Sequence, residues 1–152
     1  MAKPSKVDLV GVGLNATDTV IHLSTYPTRG SKTEYSTVST LPGGQVATTV
    51  VACQHWGLRT RYVGKLGDDL AATLHREAFS HAGVETRIIT VPGAASAQSL
   101  ILVDAQGERT VLIRRDERLA LHPADLDREW ITNARALHVD GYDTEAAILA
   151  AT

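Results

Sequence analysis

Apolar runs of strand length alternate with longer segments of helical periodicity along most of the chain. Val7–Val12 is a short run rich in β-branched residues, which predicts a buried strand. Helical patterns run from the glycine pair at 43–44 to Trp56 and from Asp69 to Ala82, and a glycine that can end a helix follows each. Further strands are predicted over 60–64, 84–91 and 136–139, and further helices over 123–132 and 145–152.

Some extended segments do not fit a plain alternation of strands and helices. Residues 17–22 alternate in polarity and are predicted to be extended. Residues 34–41, and the predicted hairpin over 98–113, each have a polar face and no helix after them. The chain is therefore predicted to be an α/β protein with a central, largely parallel sheet and flanking helices, plus a small separate β layer.

Composition narrows the class of protein. The chain has 152 residues, 43% of them hydrophobic, which is enough for one domain with a real core. Its net charge of −2 and dispersed basic residues indicate no nucleic-acid or membrane partner. Residues 1–6 lack the apolar core of a signal peptide, and no apolar run approaches the ~18 residues of a membrane span.

The single cysteine and the histidines suggest neither disulfides nor a metal site. Cys53 leaves no partner for an internal disulfide, so we expect a cytoplasmic protein, with Cys53 either a small buried hydrophobe or a reactive thiol. The six histidines show no metal-ligand spacing. His138 falls in a predicted buried strand, where it is either a core residue or a ligand.

The glycine pair Gly43-Gly44 opens a helix and has two interpretations. It makes a tight turn, or its missing side chains let a ligand approach the unpaired N–H groups of the helix N-terminus. In the second case Gln45 and Thr48, polar residues of the first turn, contact the same ligand.

A second glycine motif lies upstream, where residues 11–16 fit the dinucleotide fingerprint G-x-G-x-x-A. That fingerprint requires a helix to follow, and the β-branched alternation of 17–22 argues against one, so no dinucleotide site is expected. The strand end instead brings Asn15 and Asp18 to the carboxyl edge of the sheet. There Asp18 either caps a turn or binds neighbouring hydroxyls of a sugar.

Together these motifs resemble the N-terminal half of the ribokinase-like carbohydrate kinases of the PfkB family. "VDLVGVGLNATD" is similar to the family's first strand and places Asp18 on its substrate-binding aspartate. The glycine pair, its helix and the later turn Gly64, Gly67, Asp68, Asp69 resemble the family's first signature. "AQSLILVDAQGERTVLIRRD" resembles its lid hairpin, and "ALHVDGYDTEAAI" the following strand, with Asp140-Gly141 facing the substrate.

This sequence departs from the family pattern in two ways. The asparagine expected four residues after the second glycine is Thr48, which lacks the fixed donor and acceptor of an amide. The family's later Gly-Ala-Gly-Asp motif, which carries the general base, is absent, as are its nucleotide pocket and Mg²⁺ motif. We therefore expect the N-terminal portion, over 1–152, of a ribokinase-like domain truncated mid-fold and inactive alone. ATP and Mg²⁺ are implied as cofactors, with their sites outside this segment.

The resemblance implies ATP-dependent phosphorylation of a hydroxyl on a sugar, polyol or nucleoside, with 34–41 and 98–113 as lid segments. The alternative is a non-catalytic sugar- or nucleoside-binding or dimerisation module, and the lid is a possible homodimer contact. Arg114 and Arg115, at the exit of the hairpin, either meet a phosphate or are solvated. The predicted substrate-binding residues are Asn15, Asp18, Gly43, Gly44, Gln45, Thr48 and Asp140; no metal ligand is predicted.

Overall fold

The computed structural model describes residues 6–152, which form eight strands and four α-helices. The strands are β1 (Val7–Val12), β2 (Ala16–Leu23), β3 (Tyr35–Gly43), β4 (Thr60–Leu66), β5 (Glu85–Thr90), β6 (Gln98–Val103), β7 (Arg109–Arg114) and β8 (Ala134–Val139). The helices are α1 (Gln45–His55), α2 (Leu70–Ala82), α3 (Arg128–Thr132) and α4 (Thr144–Ala151). Short 3₁₀ turns occupy Glu117–Leu119 and Pro123–Asp125.

The main sheet is parallel throughout, with the order β5-β4-β1-β8. Adjacent residues of β4 pack on opposite faces: Tyr62 joins a cluster with residues of α1 and α2, and Val63 joins one with Ala146 of α4. Burial on both faces explains why β1 is apolar at nearly every position, with Asp8 as the exception. The predicted α/β fold with a central parallel sheet and flanking helices is confirmed.

The remaining four strands form a second layer, called here the small sheet, with the order β3-β2-β6-β7. The segments 34–41 and 98–113 lie in it, as the sequence pattern predicts. The structure adds β2, which pairs with β6 in parallel and with β3 in antiparallel orientation. Since 17–22 is strand, the helix required by the dinucleotide fingerprint is replaced by extended chain.

Helix α1 packs unusually close to the main sheet because Gly11 has no side chain. A Cβ atom at Gly11 would lie 2.5 Å from Val50 Cγ1 and 2.7 Å from Val46 Cγ1. The close approach is reinforced by the Ala47 N–H, which donates to the Leu14 carbonyl at 3.3 Å. The start of α1 is thereby held against the carboxyl end of β1.

Most predicted elements differ from the structure by one or two residues at their ends, and two of the differences have a clear cause. The strand predicted over 34–41 continues to Gly43, because β3 is an edge strand and Pro42 can lie in it without the N–H that it lacks. The helix predicted over 123–132 is wrong as a single element. Pro123 opens a 3₁₀ turn, the chain becomes extended at Leu126, and Asp127 caps the separate helix α3.

Candidate functional site

An open cleft of about 1000 Å³ lies between the small sheet, helix α1 and the end of β8. Five of the seven predicted site residues border it: Asp18, Gly44, Gln45, Thr48 and Asp140. Other lining residues are Ser99, Arg109, Val111 and Ile113 of the small sheet, Thr49, Ala52, Cys53 and Trp56 near α1, and His138 and Tyr142. The structure therefore brings most of the predicted site together, and places Asn15 and Gly43 outside the cleft lining.

Asp18 lies on β2, beside Leu41 of β3 and Ser99 of β6. Residues paired directly across a sheet share a face, and Asp18, Ser99 and Ile113 of this row all line the cleft. Within residues 6–152 no donor forms a hydrogen bond to the Asp18 carboxylate. Since an ionised carboxylate can accept several hydrogen bonds, Asp18 is equipped to bind hydroxyl groups of a molecule in the cleft.

Gly43 makes room for Asp18 rather than for a ligand. A Cβ atom at Gly43 would overlap Asp18 Oδ2 and lie 3.2 Å from Asp18 Cγ. The absence of a Cβ atom at Gly43 is thus explained within the fold, and a contact between its main chain and a ligand stays a prediction. Its lack of a side chain lets the carboxylate of the neighbouring strand occupy its present position.

Gly44 is required by the backbone. Its φ of 94° lies in the region that favours glycine, and a Cβ atom there would stand 2.5 Å from Asn15 Cα and 2.7 Å from Ala16 N. A side chain at Gly44 would collide with the backbone that joins β1 to β2. The absence of a Cβ atom here therefore makes room for that backbone and not for a ligand. The residue does border the cleft, with its main-chain atoms.

Helix α1 presents a polar first turn to the cleft. Gln45 and Thr48 both border it, and Gly44 caps the helix without a side-chain hydrogen bond. The N-terminus of a helix carries partial positive charge, which favours oxygen-rich ligands. Along the same helix the cleft is bordered at positions 45, 48, 49, 52, 53 and 56, which is the i, i+3, i+4 spacing of one helical face.

Asn15 lies outside the cleft lining and holds the chain next to it in place through internal hydrogen bonds. Its side chain is 5% exposed, and its amide donates to Tyr62 Oη at 2.6 Å and to the Lys65 carbonyl at 2.8 Å. Tyr62 Oη in turn donates to the Gly13 carbonyl at 2.7 Å, and burial raises the pKa of Tyr62 above its usual range. Because both amide hydrogens are used internally, Asn15 fixes the crossing from β1 to β2.

Asp140 follows β8 and joins two loops at the edge of the cleft. Its carboxylate accepts hydrogen bonds from the Leu14 N–H at 2.8 Å and the Tyr142 N–H at 3.1 Å. Gly13, with a φ of 146°, lies against the same carboxylate. Asp140 therefore has a structural role as well as a position in the cleft lining.

Tyr142 borders the cleft and is a residue that the sequence prediction missed. The residue is 42% exposed, and the Arg115 guanidinium lies 5.2 Å from the centroid of its ring. Arg115 also forms an ion pair with Asp143, the residue that precedes α4. The prediction of a solvated Arg115 is therefore wrong, because the side chain ties the end of β7 to the loop after β8. The alternative, a contact with a phosphate, stays a prediction.

For two more cleft residues the sequence left open whether they belong to the core or to a site. Cys53 and His138 are only half-buried, and each lines the cleft. The signal that could have found Cys53 is its place on the helical face of Gln45, Thr48 and Thr49. His138 could be found by its position on β8, two residues before Asp140, which directly follows that strand; alternate residues of extended chain share a face.

The glycine–aspartate turn after β4 is structural. Asp68 Oδ1 accepts a hydrogen bond from Gly93 N, and Asp69 caps α2 at Ala72 N and accepts from Ser96 N at 2.9 Å. These bonds fasten the start of α2 to the loop that leads into β6. The turn thus positions the small sheet without lining the cleft.

Neither a metal centre nor a membrane segment is found in the described part of the chain. Over residues 6–152, no three His, Cys, Asp or Glu side chains come together in a way that could hold a metal ion. None of the helices in this range is long and apolar enough to cross a membrane.

Comparison with known proteins gives a consistent result. The model of the pfkB family carbohydrate kinases matches residues 14–152. A nucleoside kinase of Methanothermobacter thermautotrophicus is 26% identical over 133 residues, which is 87% of this chain and 43% of that protein. Fructokinase-2 of Solanum habrochaites is 32% identical over 100 residues, which is 64% of this chain and 30% of that protein.

The fold is shared with solved structures. Arabidopsis thaliana ribokinase, solved in complex with ribose and ATP, has a TM-score of 0.76 at 20% identity. The match covers 95% of this chain and 50% of the ribokinase. The chain thus spans half or less of the length of these relatives.

Proposed function

Because the chain belongs to the pfkB family of carbohydrate kinases, we propose that it forms the acceptor-binding part of an enzyme that phosphorylates a sugar or nucleoside hydroxyl. The reaction in this proposal transfers the γ-phosphoryl group of ATP, a step that depends mainly on positioning and on stabilisation of charge. The described residues supply the positioning. The lone Cys53 favours a reducing, cytoplasmic setting.

The observation that supports this proposal best is the environment of Asp18. Its carboxylate faces a cleft of about 1000 Å³ and receives no hydrogen bond from residues 6–152. Gln45 and Thr48, at the start of α1, add polar groups to the lining of the same cleft. In the proposed complex, Asp18 accepts hydrogen bonds from two hydroxyls of the acceptor, and the first turn of α1 orients the rest of it.

ATP and Mg²⁺ enter the proposal through the family alone. The described residues bring together no group of carboxylates that fits a metal ion. We therefore assign no residue of this chain to Mg²⁺ and derive no step through it.

The small sheet acts as the lid in this proposal. Its cleft-facing side chains Val111 and Ile113 lie opposite α1 and are suited to cover a bound acceptor and exclude water. Apolar side chains also remain exposed on the small sheet, among them Tyr35, Val38 and Leu112. A second copy of the chain could cover them, which supports a homodimer through the lid.

The aromatic residues in the cleft lining favour an acceptor in which an aromatic ring is attached to the sugar. Tyr142 and Trp56 both border the cleft, and these residues are 42% and 79% exposed. An aromatic face of this kind stacks well on a nucleobase. We therefore propose a nucleoside ahead of a free monosaccharide as the acceptor.

The test is direct binding of ribose, fructose and adenosine to the chain, measured by calorimetry. Asp18→Asn preserves the shape of the side chain and removes its charge. We expect it to weaken binding about tenfold or more, which is the effect of losing hydrogen bonds to a charged group. Glu108→Gln, an exposed change at the hairpin of the small sheet, is the matched control. Equal affinity in wild type and Asp18→Asn would remove Asp18 from the site.

The second candidate function is a non-catalytic binding or dimerisation module, supported by the exposed apolar residues of the small sheet. It predicts binding or self-association with no phosphoryl transfer in the natural protein. An assay for ADP release across sugars and nucleosides separates the two functions.

A further inference from the structure

A second concave surface, called here the back groove, lies behind the small sheet, against helix α2. It has a volume of about 450 Å³ and is lined by Thr17, Thr19 and Thr40, Gln98, Leu70, Ala71, Thr73, Leu74 and Glu77. The size lies within the range of small-molecule sites. The groove shares no lining residue with the cleft.

The two surfaces are connected through the strand β2. Successive side chains of a strand point to opposite faces, so Thr17 and Thr19 face the back groove and Asp18 faces the cleft. A molecule bound in the back groove would therefore contact the residues on either side of Asp18. It would also link the small sheet to α2 of the main body.

The Thr17 hydroxyl indicates that the groove binds a polar ligand. Thr17 is 4% exposed, and its Oγ1 has no hydrogen-bond partner among residues 6–152. A buried polar atom without a partner is costly, and a ligand group that hydrogen-bonds to it would remove the cost. Thr19 and Thr40 pair with each other at 3.3 Å and offer further hydroxyl groups beside it.

The rest of the lining limits the chemistry of the ligand. Leu70, Ala71 and Leu74 give one apolar wall on α2, suited to a flat ring. Among residues 6–152, Glu77 is the only charged residue that lines the groove, and it disfavours an anion. The amide of Gln98 and the threonine hydroxyls can both donate and accept hydrogen bonds.

We propose that the back groove binds a small uncharged heteroaromatic molecule with a hydrogen-bonding edge, of the class of nucleobases and aromatic amides. The ring lies on Leu70 and Leu74, and the polar edge meets Thr17. Binding holds the small sheet against α2, and so fixes the position of Asp18 at the cleft. The groove is thereby a regulatory site for whatever occupies the cleft.

Two probes that differ only in charge test the ligand class. Nicotinamide and nicotinate have the same ring, with an amide and a carboxylate respectively. Each is titrated into the isotope-labelled chain at millimolar concentrations, and backbone amide shifts are followed by NMR. We expect nicotinamide to shift Thr17, Thr19, Thr73 and Gln98, and nicotinate to bind at least fivefold more weakly because of Glu77.

Variants locate the binding. Thr17→Val keeps the β-branched shape and removes the unpaired hydroxyl, so the fold is retained, while nicotinamide binding weakens about fivefold, as expected for one neutral hydrogen bond. Leu70→Arg, at a side chain that is 84% exposed, blocks the groove without disturbing the core. Thr110→Val, at an exposed position of β7 outside the groove, is the matched control and should bind like wild type.

Hydrogen exchange tests the link to the cleft. Saturating nicotinamide should slow amide exchange in the β2–β3 ladder of wild type and Thr110→Val, and have no effect in Leu70→Arg. The proposal is overturned if nicotinamide shifts no groove residue, if the shifts are confined to cleft residues such as Thr48 and Tyr142, or if exchange in the ladder is unchanged on binding.

Discussion

The carboxylate of Asp18 occupies the space that any side chain at Gly43 would need. The two residues lie on neighbouring strands, and a Cβ at Gly43 would overlap Asp18 Oδ2. One half of the glycine pair is thus explained by the side chain that the proposed acceptor binds.

The first prediction concerns this relationship. Gly43→Ala should displace the Asp18 carboxylate and weaken adenosine binding roughly tenfold, an effect comparable with the loss of a charged hydrogen bond. Calorimetry on the single variants and on the double variant with Asp18→Asn measures the coupling. If Gly43 acts through Asp18, the double variant is no weaker than Asp18→Asn alone. Gly141→Ala, at a glycine with open space around its Cβ position, is the control.

Substitution of Gly44 should lower the stability of the fold. Gly44→Ala combines a φ of 94° with a Cβ atom 2.5 Å from Asn15 Cα, so we expect the free energy of unfolding to fall by at least ~2 kcal/mol. Urea denaturation measures it. Gly93→Ala shares the positive φ, at 69°, but has open space around the Cβ position, and should cost only about 1 kcal/mol. If the free energy of unfolding falls equally in the two variants, a Cβ atom at Gly44 does not clash with the backbone of Asn15.

Tyr142 should distinguish nucleosides from sugars. Tyr142→Ala removes the aromatic face that Arg115 holds at the cleft wall, and we expect adenosine affinity to fall about fivefold while ribose affinity changes little. Tyr142→Phe retains the ring and should bind adenosine like wild type. A parallel loss for both ligands would assign Tyr142 to general support of the loop.

The stability of the fold should decrease in mild acid because of His75. This side chain is 1% exposed, its Nε2 has no partner in the range 6–152, and burial lowers its pKa from the ordinary value of 6.5. A hydrogen bond to the backbone of Ala16 and the charges of Asp18 and Asp69 oppose the shift.

The unfolded chain therefore binds a proton at His75 more readily than the folded chain. Its contribution to stability is fully present above pH 6.5 and is lost as the pH falls below that value. Urea midpoints measured from neutral pH downwards should decrease, and His75→Leu should flatten the decrease. His55→Gln, at an exposed histidine, should leave the slope unchanged. An identical slope in His75→Leu would contradict the assignment.

Local patterns in the sequence were sufficient for the main sheet. Val7–Val12 and the capped helices have unambiguous periodicity, and parallel strands buried on both faces follow from it. The pairing of β2 with β6 could not be predicted from local pattern. It joins residues about eighty positions apart, such as Asp18 and Ser99, and depends on which layer the strand enters after Asn15.

Part of the polar lining of the candidate cleft could be predicted from the sequence, and its role in binding stays a prediction. The contacts that hold the glycines in place could not be predicted. Asp18, Gln45 and Thr48 stand out as polar groups at element ends, and they do border one cleft. The residues that pack against the glycines could not be predicted, because a glycine in the sequence indicates only that some atom lies close to its backbone. Whether that atom belongs to a ligand, to Asp18 or to the backbone of Asn15 depends on how the chain passes from β1 to β2 in three dimensions.

The crossing at Asn15 also determines how motion is distributed in the small sheet. Asn15 is anchored to Tyr62 and Lys65, and β2 extends from it to Leu23, eight residues or about 26 Å away. Asp18 lies only about 10 Å along this lever. A tilt of about 10° about the anchor would carry the tip through ~4–5 Å and Asp18 through less than ~2 Å. A tilt that carries the far end of the sheet through several ångströms thus displaces the Asp18 carboxylate by less than half that distance, and this smaller displacement is what a ligand in the back groove would limit.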